Sequence, residues 1–126
     1  MESDQYELTV EDREHYLYAH LMAPQISLDI AVRYNNELMA LIRETPHTKV
    51  LFVREAPTLD SQAQCGIVAS LMTNTLPSHK KLAVVHPPAA HRWIKESIPA
   101  LQERKDINAF ETFAEAEAWL LNDHPQ

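Results

Sequence analysis

KVLFV, Lys49–Val53, and LAVV, Leu82–Val85, are the stretches whose reading decides the fold. Each is a short continuous apolar run, the mark of a strand buried on both faces, as in a parallel sheet covered by helices. Asp60-Ser61 opens a helix between them, with Ile67, Val68, Leu71 and Met72 as its inward stripe. Upstream, Ser27 offers an N-cap with Asp29 in the first turn. Ile30, Tyr34, Leu38 and Leu41 follow at helical spacing, and Pro46 ends that helix near Glu44. Further upstream, Tyr6–Val10 and His15–Met22 alternate about the polar Glu11–Glu14, which reads as a hairpin. In the second segment Tyr16, Tyr18 and His20 lie on one side and Leu17, Ala19 and Leu21 on the other. Downstream, Pro88–Ser97 reads as a helix and Ile107–Phe110 as a short strand. Thr112–Leu121 reads as a closing helix with Glu115 in capping-box position and Phe113, Ala116 and Leu120 inward. The order β-β-α-β-α-β-α-β-α predicts an α/β fold, a mostly parallel sheet of about five strands with one antiparallel N-terminal hairpin strand.

The 126 residues fit one domain, 1–126, at about 100–200 residues per domain. A 45% apolar, 23% charged composition belongs to globular chains rather than disordered ones. The net charge of −7 speaks against nucleic acid as a partner, since duplex binding needs a basic footprint. The single glycine, Gly66, excludes GxGxxG, Walker A and GxSxG loops. The single cysteine, Cys65, allows no internal disulfide, and no Cys/His spacing suits a metal. The acidic start of the chain is unlike a secretory leader, and no run approaches a membrane span, so a cytoplasmic protein is expected.

Three constellations bear on function. Asp60-Ser61-Gln62-Ala63-Gln64 suits a phosphosite or partner-docking helix start, where added phosphate meets free N–H groups. It equally suits a plain capping box, with Ser61 as N-cap and Gln64 reaching back. From His79 to Lys95 the chain holds Lys80, Lys81, Arg92, Lys95 and three histidines and no acid. The turn after LAVV lies where ligands gather in parallel sheets, so His86, His91, Arg92, Trp93 and Lys95 are candidates for anion, ligand or membrane contact. Against this, Lys80 and Lys81 lie at the other end of the strand, and surface charge is mostly solvating. Cys65 falls early in a helix, where a thiolate is favoured, but a free cysteine is more often a small buried hydrophobe. No catalytic residue, metal or cofactor is assigned.

The stretches Lys49–Leu71 and Leu82–Leu120 together resemble the SpoIIAA-like group. That group includes the STAS domains, the anti-sigma-factor antagonists, and shares its fold with CRAL-TRIO lipid-binding domains. The likeness lies in a strand running into an Asp-Ser pair, a later strand ending in a His-Pro turn before an Arg-bearing helix, and a final FETFAEAEAWL. It departs at Gln62-Ala63, where kinase-switched antagonists carry Ser/Thr-Gly. The resemblance implies helices mainly on one face of the sheet. A less covered face then invites a partner, a ligand or a second copy, so a homodimer is a further expectation. It also implies a non-enzymatic regulatory or ligand-binding module that docks an anti-sigma-like protein or a small apolar or anionic ligand near Ser61 and His86–Lys95. The alternative is a lipid or apolar-metabolite binder with peripheral contact at the inner face of the membrane.

Overall fold

In the computed structural model, which describes residues 6–56, 67, 70–72, 74–77, 79–86 and 106–122, five strands form one sheet in the order β1-β2-β3-β4-β5. They are β1 (Glu7–Asp12), β2 (Leu17–Met22), β3 (Lys49–Glu55), β4 (Lys81–Val85) and β5 (Ile107–Phe110). β1 runs antiparallel to β2, and every other pairing is parallel. KVLFV and LAVV lie at the centre, where Val50, Leu51, Phe52, Leu82 and Ala83 are fully buried.

Alternation along the strands sorts the core into two layers. Leu17, Ala19 and Leu21 of β2, Val50 and Phe52 of β3, and Leu82 and Val84 of β4 face the helix α1, Leu28–Glu44. The Ser27 side chain accepts from the Ile30 amide at 3.2 Å and caps α1, as its sequence position predicts. The buried face of α1, Ile30, Ala31, Tyr34, Asn35, Leu38, Met39 and Ile42, centres near Leu38; Leu41 sits about 60° round from Leu38 at about 3.6 residues per turn and is only half-buried on the flank. Residues 67, 70–72, 74 and 75 are helical, and Met72 joins this layer. Ile67 does not: it is 52% exposed, so its place in the expected inward stripe is corrected.

On the opposite face, Tyr16, Leu51, Ala83 and Val85 pack against Ala116 and Leu120 of the closing helix α2, Phe113–Leu121. Thr112 caps it by accepting from the Glu115 amide at 3.2 Å, while its own hydroxyl donates to the Glu115 carboxylate at 3.1 Å. Both partners of the expected capping box are therefore engaged, through the hydroxyl proton rather than the cap's backbone amide.

Candidate functional site

Helix direction gives the two edges of the sheet different electrical characters. α1 follows β2 and α2 follows β5, so both start at the edge where parallel strands end and finish where they begin. Helix C-termini carry orphan carbonyls and a partial negative charge. At this amino-end edge, the buried Lys80 donates its ammonium to the carbonyls of Thr45, the C-cap of α1, and His47. Burial pushes the Lys80 ammonium below its ordinary pKa. Lys81 does the same for α2, donating to the carbonyls of Trp119 at 2.8 Å, Leu120 at 3.3 Å and Asn122 at 3.0 Å. Its ammonium also lies 4.4 Å from the Trp119 ring centroid. Two cations of the basic stretch are thus bound to helix ends inside the fold.

The carboxyl-end edge is built differently. Arg54 and His86 continue the inward series Val50-Phe52 and Leu82-Val84, so both side chains fall on the α1 face. The His86 amide donates to the Phe110 carbonyl at 3.0 Å, which fixes its backbone beside β5. Arg54 is 7% exposed, His86 7% and Tyr34 of α1 2%. The Arg54 Nε donates to the Tyr34 hydroxyl at 3.0 Å, and a terminal nitrogen meets His86 Nδ1 at 3.2 Å. A guanidinium only donates, so His86 Nδ1 accepts and its proton is elsewhere on the ring. The Tyr34 ring, 5.8 Å from the guanidinium carbon, packs edge-on to Tyr6 and tilted against Phe52. Among the described residues every contact of Arg54 is with a neutral group, and no carboxylate pairs with it.

On the other face, beside α2, the Arg13 guanidinium lies 4.1 Å from the centroid of Tyr18, which stacks on His20. His20 in turn pairs with Glu55. Among the described residues, no three His, Cys, Asp or Glu side chains converge in a way that would hold a metal ion. No helix among them is long and apolar enough to cross a membrane.

Of the docking and contact candidates Asp60, Ser61, His86, His91, Arg92, Trp93 and Lys95, His86 alone lies among the described residues. The surface position that a membrane or ligand contact would need is corrected for His86: it is buried one residue past β4, in step with Leu82 and Val84 on the α1 face. Asp60, Ser61, Cys65, His91, Arg92, Trp93 and Lys95 lie outside the described residues. The parallel strands β3 and β4 end at one edge, and in the sequence Ser61 follows Glu55 by six residues and His91 follows Val85 by six. The basic stretch His79–Lys95 is not one patch, since β4 separates Lys81 from His86 by roughly 16 Å at about 3.3 Å per residue. Arg54 and Tyr34 escaped notice as a polar pair. Strand parity carries the signal, because the second residue after Phe52 shares its face.

A scan against protein-family models finds no match, and a search of curated proteins finds none either. Among solved structures, the fold is similar to that of an anti-sigma factor antagonist from Mycobacterium paratuberculosis, with a TM-score of 0.69 at 16% identity. The superposition covers 95% of this chain and 97% of that one. The SpoIIAA-like architecture expected from the sequence is the one the chain adopts.

Proposed function

We propose that this chain, 1–126, is a non-enzymatic regulatory module that docks a protein partner of the anti-sigma kind. The observation that supports this most is the end-to-end likeness of its fold to an anti-sigma factor antagonist. The docking surface in this reading is the carboxyl-end edge, where β3 leads to Asp60-Ser61 and β4 leads to His86–Lys95. A phosphate on Ser61 would add about two negative charges at that edge and so change the partner's affinity. The protein works in the cytoplasm in this reading, and neither a lipid ligand nor contact with the membrane is needed.

Intact-protein and peptide mass spectrometry of the chain purified from its host is the test. Phosphate on the Ser61 peptide, together with at least a tenfold difference in partner affinity between Ser61→Asp and Ser61→Ala, supports the reading. A co-purified acyl chain or isoprenoid, with no such difference, favours the apolar-ligand alternative and overturns the regulatory one.

A further inference from the structure

A guanidinium keeps its charge at any pH a protein survives. Taking such a charge out of water costs several kcal/mol, and buried charges are ordinarily paired. Arg54 departs from that rule: it is 7% exposed, and among the described residues its contacts are a phenol hydroxyl, an imidazole nitrogen and an aromatic ring. The two hydrogen bonds use two of the five guanidinium N–H donors and supply no negative charge. They hold the fork in one orientation, since Tyr34 is anchored by Phe52 and Tyr6, and His86 by its backbone bond to Phe110. The location agrees. Arg54 is next to last in β3, at the edge where helix N-termini place positive dipole ends and where ligands gather in parallel sheets.

We propose that Arg54, oriented by Tyr34 and His86, is the receptor for an oxyanion, the phosphate group or carboxylate of a small ligand that enters at the carboxyl-end edge. The fork is complementary to both groups through paired N–H donors. The anion supplies the negative charge that the neutral partners lack. The site stands whether or not a protein docks at this edge, because its parts lie within the chain.

The test is a titration of the isotope-labelled full chain, without any partner, followed by nuclear magnetic resonance. Inorganic phosphate is added in one arm, acetate in another, and sodium chloride at matched ionic strength in a third. The expected result is a saturable shift of the Arg54 side-chain N–H and the His86 backbone amide with phosphate or acetate and none with chloride. A response to phosphate alone assigns a phosphoryl ligand, and one to acetate alone a carboxylate ligand. Arg54→Lys, which keeps the charge and loses the fork, weakens the affinity at least tenfold. Arg54→Met abolishes the shift of the His86 amide. Equal responses in all three arms, no response in any, or a shift that survives in Arg54→Met overturns the site. The wild-type arms decide the question even where Arg54→Met fails to fold. Loss of the anion response with partner binding intact refutes this site and leaves the regulatory reading standing; the reverse result separates them in the other direction.

Discussion

The two edges of the parallel strands handle buried positive charge in opposite ways. At the amino-end edge, Lys80 and Lys81 between them meet five backbone carbonyls at the ends of α1 and α2. At the carboxyl-end edge, Arg54 meets only neutral side chains among the described residues. Helix polarity accounts for the difference. The right-handed crossovers of a parallel sheet bring helix C-termini, with their spare acceptors, to one edge and helix N-termini to the other. A cation at the first edge is a structural fastener, while one at the second is held ready for a negative charge from outside the described core.

The largest expected effect breaks a fastener. Lys80→Met leaves the Thr45 and His47 carbonyls without their donor and should cost about 2 kcal/mol in urea unfolding, as the removal of charge-assisted bonds does. A cost near zero would place those carbonyls in water. Lys81→Met should cost about 1 kcal/mol, being half-exposed, and should fray the end of α2 by far-ultraviolet circular dichroism.

A further buried polar group lies within α1. Asn35 of α1 is fully buried, and among the described residues neither its amide nitrogen nor its oxygen has a hydrogen-bond partner. Asn35→Leu should therefore stabilise the fold by about 1 kcal/mol, since an apolar side chain of similar size carries no unmet bonds. A loss in the same measurement would show that the amide has a use the apolar chain cannot serve. Arg54→Met should change stability by less than about 1 kcal/mol, because relief from a buried charge without a counter-charge offsets the absence of its hydrogen bonds to Tyr34 and His86. If it costs as much as Lys80→Met, the contrast between the edges fails.

The smallest effect is confined to alkaline solution. Burial and the hydrogen bond to Glu37 push the Tyr6 phenol up to about 12, and burial with the bond to Glu117 raises Tyr16 as well. The folded state then holds these protons longer than the unfolded chain, whose phenols ionise near 10. Their contribution is complete below pH 10 and falls away as the pH rises toward about 12. Tyr6→Phe should flatten that limb in denaturant titrations at successive pH values, since the variant has no phenol proton to lose there.

The architecture was legible because its signals are local. KVLFV and LAVV announce buried strands by composition, and Ser27 and Thr112 announce helix starts through hydroxyls three residues from the amides they accept from. The carboxyl-end edge was hidden because its bonds are long-range, Arg54 meeting Tyr34 and His86 across 20 and 32 positions. Charge clustering in the sequence places no side chain in space, for the same reason. Lys80, Lys81 and His86 are neighbours in sequence, yet the first two close off helix ends and the third stands at the far end of the same strand. Ile67 is exposed although its spacing puts it in the stripe, since periodicity gives the spacing of a stripe and not how much of it the fold covers.

β1 has a consequence for how the molecule behaves at high concentration. It is the outermost strand, largely exposed, and its sequence ELTVED carries carboxylates at Glu7, Glu11 and Asp12. A second copy adding its own β1 antiparallel would bring acidic ends against acidic ends, which repel, and would have to disturb Glu11 and Asp12 where they engage Arg13 and His47. The opposite edge is the four-residue β5, too short to template a long ladder. Neither margin favours edge-to-edge growth, so crowding should leave the sheet at five strands rather than start a continuous ribbon.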